Sequence, residues 1–106
     1  MNSINPEQLV KAVKQWGREK GINNPLMQYA KINEEIGELA HEVVRGHIQP
    51  IPTRETVDAI GDILVTVIIF ADIIGVDPIE ALSMSYDTIK ERKGETINGS
   101  FVKANE

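Results

Sequence analysis

The sequence predicts an all-α fold of four helices, and three kinds of observation indicate it. An Asn or Asp followed by proline is typical of a helix start. This pair occurs three times, at Asn5-Pro6, Asn24-Pro25 and Asp77-Pro78. Each predicted helix is followed by a glycine, the residue favoured just past a helix end. These glycines are Gly21, Gly46, Gly75 and Gly94. Between the signals, apolar residues recur at intervals of three and four, as in a helix with one buried face.

The first two predicted helices each carry one apolar stripe. The first begins at Asn5-Pro6 and ends at Gly21; its stripe is Leu9, Val10, Val13 and Trp16. The second begins at Asn24-Pro25 and ends at Gly46; its stripe is Tyr29, Ile32, Ile36, Leu39 and Val43. We therefore expect both helices to pack against a core through one face.

The third predicted helix is apolar nearly all round. The preceding segment, Gly46 to Pro52, holds two prolines and predicts a loop. Thr53 can cap the helix, which runs to about Ile74. After two acidic turns it is almost wholly hydrophobic, and such a helix must be covered on every side. Because four helices in one small chain cover it poorly, we expect a second copy of the chain to complete the bundle.

The fourth helix is predicted from Asp77-Pro78 to about Lys93, with Glu80 placed for a capping box. The remaining tail, residues 95–106, contains the turn signal Asn98-Gly99. We find no interdomain linker and expect residues 1–106 to form a single helical domain.

Composition limits the class of protein. The net charge is −5 and no basic stripe is present, which disfavours a nucleic-acid polymer as partner. There is no cysteine. The first residues, Met-Asn-Ser-Ile-Asn, do not show the basic-then-apolar pattern of a signal peptide, so we expect none. The longest apolar run has about 14 residues, whereas a membrane-spanning helix needs about 20. We expect a cytoplasmic protein without a membrane partner.

Three carboxylates lie close together in the second predicted helix. Glu34 and Glu35 each lie within about 60° of Glu38 around the helix axis, so all three share one face. Like charges at this spacing cost a few tenths of a kcal/mol per pair. A bound cation explains why the chain accepts this cost; the alternative is an ordinary solvated acidic face.

A second acidic group lies at the start of the third helix and favours a bound cation over a solvated acidic face. Glu55, Asp58 and Asp62 lie within roughly 60° of one another and precede a run that must be buried. A partly desolvated acid is costly unless it is paired or metal-bound. Residues 34–62 contain seven acids and two bases, and the rest of the chain has nine of each. The whole net charge therefore lies in this window.

Oxygen ligands without His or Cys predict Mg²⁺, with Mn²⁺ as the alternative. A phosphate substrate can complete the shell of such an ion, and a water polarised by the metal can attack phosphorus. Basic residues are then expected at the phosphate chain, unless they form a solvated helix end. The candidates are Lys31, Lys90, Arg92 and Lys93.

These residues resemble the MazG-like, all-α nucleoside triphosphate pyrophosphohydrolases. The mark of that family is Glu-Glu-x-x-Glu on one helix and Glu-x-x-Asp on the next, and Glu34-Glu35-Ile36-Gly37-Glu38 matches the first motif completely. The resemblance extends along most of the chain, to Trp16, Gly61-Asp62-Ile63-Leu64 and Ile89-Lys90-Glu91-Arg92-Lys93-Gly94. The ending, residues 98–103, is similar to short phage- and prophage-type members.

The second motif departs from the family pattern. The position three residues before Asp62 is Ala59 instead of Glu. Either Asp58 substitutes for the missing Glu, or Glu55 and Asp58 are the working pair. The resemblance implies metal ligands at Glu35, Glu38, Asp58 and Asp62. It implies catalytic roles for Glu34, Glu35 and Glu38, with Glu34 an extra ligand or the base that orients the water.

The resemblance implies a Mg²⁺-dependent hydrolase that converts nucleoside triphosphates to monophosphates and pyrophosphate in nucleotide-pool house-cleaning. Such proteins work as homodimers or homotetramers. Candidates for base recognition are Trp16, Gln28 and Tyr29, although Trp16 and Tyr29 also fit the core. Asp72 either touches a nucleotide or caps a neighbouring element. The alternative function is a non-catalytic helical dimer that binds metal or nucleotide, and a weaker one is a surface for a basic partner.

Overall fold

The computed structural model describes residues 5–104 and contains four helices and one β-hairpin. The helices are α1 (Pro6–Glu19), α2 (Pro25–Val44), α3 (Arg54–Ile73) and α4 (Pro78–Ile89). The strands are β1 (Gly94–Ile97) and β2 (Ser100–Lys103). The four predicted helices are confirmed. α4 ends earlier than predicted, at Ile89, and the tail forms a hairpin that the all-α prediction did not include.

Side chains cap the four helices at the predicted residues. The side chains of Asn5, Asn24, Thr53 and Asp77 each accept a hydrogen bond from the first turn of their helix. These bonds satisfy donors that have no partner within the helix. In α1 the Gln8 side chain also accepts from the Asn5 N–H, which completes a capping box.

α2 and α3 form an antiparallel pair that positions the acidic residues. The Gln28 side chain donates to the Thr66 carbonyl, and further along α2 the carboxylate of Glu35 lies near that of Asp62. α1 crosses α3 at Gly17, where an added Cβ would lie 3.2 Å from the Ile69 side chain. The core is small and centred on α3, and its buried apolar residues within residues 5–104 are Ala59, Ile69 and Ala71.

Residues 78–104, which we call the arm, extend away from the other helices. α4 bends by 105° relative to α3 and contains no buried residue. Neither described strand contacts a helix. β1 and β2 pair antiparallel around Asn98 and Gly99, both with positive φ. Gly94 does not act as the predicted helix stop: it opens β1, where a Cβ would collide with the Val102 carbonyl oxygen and the Phe101 ring.

The predicted apolar stripes stay half exposed in the single chain. Trp16 is 48% exposed, Tyr29 57% and Ile36 48%. Within residues 5–104 no single helix has the length and apolar composition to cross a membrane, although the bent pair of α3 and α4 passes that test jointly.

Candidate metal centre

Three carboxylates from two helices meet at one point. Glu35 and Glu38 of α2 and Asp62 of α3 each place a carboxylate oxygen within 4.8 Å of the other two. Helical periodicity brings the two glutamates onto the face of α2 that packs on α3. The antiparallel pairing places Asp62 opposite them. All donors are oxygen, the set that a hard divalent cation requires.

Glu35 is the buried member of this group. It is 8% exposed, and its Oε2 is buried without a hydrogen-bond partner. Burial, together with the charges of Glu38 and Asp62, raises the pKa of the Glu35 carboxyl, and the charge of Lys31 only partly opposes this. A buried carboxylate oxygen without a partner is costly. A bound cation would supply the missing partner, so the residues fit a metal ion.

The group opens into a cleft between α2 and α3, about 460 Å³ in volume, which we call the acidic cleft. Its acidic lining residues are Glu34, Glu38, Glu42, Glu55, Asp58 and Asp62. Gly37, His41 and Ala59 complete the lining. No Lys or Arg lines this cleft in the described part of the chain. An anionic ligand can therefore bind in the acidic cleft only with cations that the cleft lining does not supply.

The other predicted acids lie at the rim. The Glu34 carboxylate is 3.8 Å from Lys31 Nζ, and Asp58 is 3.9 Å from Arg54 Nε. Both side chains are more than 60% exposed. Asp58 and Glu34 line the cleft without joining the three-carboxylate group. Of the two versions of the second motif, the geometry puts Asp62 at the centre and Asp58 outside it.

Sequence reasoning missed a pair formed by Glu42, which lines the cleft, and His47. Glu42 Oε1 lies 2.9 Å from His47 Nδ1, and its side chain is only 13% exposed. The hydrogen bond to His47 holds the pKa of the Glu42 carboxyl below its usual range. The other histidine of this region, His41, lies with its Nε2 atom 3.2 Å from Arg45 Nη1. His47 stands in a proline-containing loop, where helical periodicity gives no signal.

The base-recognition candidates are spread over different surfaces. Gln28 is buried, and its amide N–H is committed to the Thr66 carbonyl of α3 at 3.2 Å. Trp16 borders an apolar cavity of about 330 Å³ between α1 and α3, together with Ala12, Val13 and Val65. Tyr29 is 57% exposed. Of the three, Trp16 and Tyr29 present accessible aromatic surface in the single chain.

Asp72 has a partner that neither sequence interpretation foresaw. The Arg18 guanidinium donates to both of its carboxylate oxygens, at 2.7 and 2.9 Å. This bidentate pair joins the end of α1 to the end of α3 and holds the pKa of Asp72 below its usual range. Asp72 therefore forms a salt bridge that links α1 to α3 in this chain.

The basic residues at the end of α4 do not line the acidic cleft, and α4 makes no contact with α2. Lys90 pairs with Asp87 at 3.1 Å and lies 5.8 Å from the Tyr86 ring centroid. Arg92 and Lys93 form no salt bridge with any described carboxylate. Of the predicted phosphate-binding cations, only Lys31 lies beside the cleft, through Glu34.

Comparison with known proteins supports the predicted fold. No family model matches the chain, and no curated protein matches it. The chain is similar to the crystal structure of the Bacillus-conserved MazG protein, a nucleotide pyrophosphohydrolase. The TM-score is 0.71 at 25% sequence identity, over 88% of this chain and 97% of that one. The predicted MazG-like resemblance is confirmed in the fold: this chain has a MazG-like fold built on four helices.

Proposed function

We propose that this protein is a Mg²⁺-dependent nucleoside triphosphate pyrophosphohydrolase. The observation that carries the proposal is the orphaned Oε2 of Glu35, buried within a group of three carboxylates on a MazG-like fold. The similar Bacillus-conserved MazG protein is a nucleotide pyrophosphohydrolase. The reaction adds one water to the triphosphate and gives a monophosphate and pyrophosphate, as suits a role in nucleotide-pool house-cleaning.

Glu35, Glu38 and Asp62 would hold the cation, Mg²⁺ or Mn²⁺. Asp58 lies at the rim and would contact the ion through a water. When bound, such an ion neutralises phosphate charge and lowers the pKa of a coordinated water. Glu34 is exposed at the mouth of the cleft beside Lys31. We assign to Glu34 the orientation of the attacking water and the acceptance of its proton.

The cleft itself repels a polyanion. Its charged lining is acidic, so the phosphate chain needs the cation together with basic side chains. Lys31 lies next to Glu34, while Lys90, Arg92 and Lys93 lie on the arm. We assign these four residues to phosphate binding. Trp16, Gln28 and Tyr29 remain our candidates for base selection, with Gln28 acting through the position it gives α2.

We propose further that the working protein is a cytoplasmic homodimer or homotetramer. The chain exposes 8542 Å². A compact monomer of 11.8 kDa exposes roughly 5,900 Å². The excess is on the order of 2,600 Å², well above the roughly 800 Å² that each partner buries in a standard interface. Much of the excess is apolar, since Leu64, Leu82 and other large side chains are exposed.

The function is tested by product analysis. Purified protein with Mg²⁺ is given a panel of ribo- and deoxyribonucleoside triphosphates, beside Glu38→Gln. We expect monophosphate and pyrophosphate in a 1:1 ratio from the parent, and a loss of about 100-fold or more in the variant. Diphosphate and orthophosphate as products would refute this reaction. The panel also identifies the preferred base and sugar.

A non-catalytic module that binds metal or nucleotide is the second candidate, and Ala59 favours it. Ala59 is 5% exposed and lines the cleft at the position where the family has Glu. If the parent binds Mg²⁺ and nucleotide without turnover while Ala59→Glu gains turnover, the parent is a binding module. Comparable turnover in both proteins would support the enzyme.

A further inference from the structure

The base of the hairpin gathers four basic residues. Strand register pairs Lys103 with Gly94, and the Ala104 N–H donates to the Lys93 carbonyl at 2.9 Å. Lys103 is therefore held beside the end of α4. The basic residues of this group are Lys90, Arg92, Lys93 and Lys103. Glu91 and Glu95 oppose them within residues 90–103, which leaves a net charge of +2 in this segment, and Asp87 just before it pairs with Lys90 at 3.1 Å.

These cations cannot reach the acidic cleft of their own chain. From Asp62, α3 continues for about 16 Å and α4 then adds about 18 Å at a bend of 105°. The end of α4 thus lies on the order of 20 Å from Asp62. That separation exceeds the reach of a lysine or arginine side chain. No described contact joins α4 or the hairpin to α2.

The arm also lacks cover of its own. Leu82, Met84 and Tyr86 of α4 are each at least 58% exposed, and Phe101 of the hairpin is 53% exposed. A two-stranded hairpin alone is marginally stable in water and needs a surface to pack on. The arm therefore presents exposed apolar area, and its end (residues 90–103) carries net positive charge, while the cleft of the same chain is open and acidic.

We propose that the arm of one chain packs across the acidic cleft of a second copy and supplies that cleft with its phosphate-binding cations. Charge complementarity favours this occupant, because the window of residues 34–62 carries −5 and the basic end of the arm +2. The area that the single chain leaves uncovered is large enough for such an exchange. The inference rests on the proposed function and makes each active site the product of two chains.

Subunit complementation tests the proposal. Glu38→Gln disables the cleft, and the double variant Arg92→Ala/Lys93→Ala disables the arm. The two chains carry different tags, are co-expressed, and the mixed assembly is isolated. We expect each variant alone to be inactive and a two-chain mixed assembly to regain up to about half of the parent activity, since one of its two sites is intact. A mixed assembly no more active than the single variants would overturn the proposal, as would full activity of the arm variant alone.

Cross-linking gives an answer that does not depend on activity. Because the chain has no cysteine, Lys93→Cys in one chain and Glu55→Cys in another provide unique sites for a short bifunctional maleimide. We expect a covalent dimer from this mixture and little from a matched mixture of Lys93→Cys with Glu19→Cys, which lies at the end of α1. Equal yields from the two mixtures would contradict the arrangement. So would cross-links that form only within one chain when a single chain carries both Lys93→Cys and Glu55→Cys. An inactive parent that still cross-links would refute the function alone.

Discussion

At the scale of single residues, the polar contact between α2 and α3 differs in kind from the contact between α1 and α3. Glu35 faces Glu38 and Asp62, and its buried oxygen has no partner. Arg18 and Asp72, in contrast, satisfy each other with two hydrogen bonds. The carboxylates of the first group repel one another, whereas the charges of the second pair neutralise each other. This contrast is expected if only the first group binds an external cation.

The Arg18–Asp72 pair makes stability depend on pH. Because the folded-state pKa of Asp72 lies below its unfolded value, the pair stabilises the fold fully above the unfolded pKa. That contribution is lost as the pH falls through the folded pKa. We expect Asp72→Asn to lower the midpoint of urea unfolding at pH 7, and the difference from the parent to disappear in acid.

The control for this pH dependence is Asp87→Asn, which removes an exposed carboxylate that pairs only within the end of α4. It should change the midpoint little at any pH. A constant difference between parent and Asp72→Asn down to strongly acidic pH would contradict the assignment.

At the scale of elements, the residues at which helices begin could be predicted from the sequence. The side chains that pair between different helices could not. Asn5, Asn24, Thr53 and Asp77 cap helices as expected, because a capping bond is made within one turn of its own residue. The same locality explains why the two carboxylate groups could be read from helical spacing. Arg18 and Asp72 are 54 positions apart, so no local pattern relates them.

The end of the chain shows the same limit. The turn at Asn98-Gly99 was visible, but the strands beside it were not predicted. The surface on which these strands would pack is not formed by neighbouring residues in the sequence. β-structure also depends on its surroundings more than a helix does. Whether the half-exposed apolar stripes become buried also depends on surfaces that a single chain does not supply.

The crossing of α1 and α3 depends on the small size of Gly17. Its Cβ position lies 3.2 to 3.4 Å from the side chain of the buried Ile69. We expect Gly17→Val to overpack this contact and to lower the free energy of unfolding by about 1–3 kcal/mol. Urea unfolding followed by circular dichroism measures the change.

Gly61→Val is the matched control, since nothing within 4 Å would meet its Cβ. Valine is a better helix former than glycine, so this variant should be as stable as the parent or slightly more stable. If both variants lose stability equally, close packing at Gly17 is not the cause.

At the scale of the whole molecule, the area left exposed is the dominant feature. Within residues 5–104 the buried apolar residues are Ala59, Ile69 and Ala71, a small core for a chain that folds alone. Interfaces with further copies can bury the remaining apolar faces of α3 and α4. The proposed oligomer would therefore both stabilise the fold and complete the proposed site.

Placing a charge on the exposed apolar face of α3 should dissociate that assembly. We expect the parent to sediment as a dimer or tetramer and Leu64→Lys to shift it toward the monomer at micromolar concentration. Ile51→Lys, in the loop before α3 and 78% exposed, is the control and should leave the assembly intact. A parent that is monomeric at high concentration would refute the predicted oligomer.

The central claim, that Glu35, Glu38 and Asp62 hold a divalent cation, is tested most directly by Mg²⁺-dependent stability. Urea unfolding is measured with and without Mg²⁺ for the parent, Glu35→Gln and the surface control Glu19→Gln. A ligand of the native state at 100 times its Kd stabilises by about 2.7 kcal/mol. We expect this gain in the parent and in Glu19→Gln. In Glu35→Gln the gain should be lost, while stability without metal is equal or higher, because an unpaired buried charge is gone. A parent that Mg²⁺ does not stabilise, or an equal gain in Glu35→Gln, would contradict the metal centre.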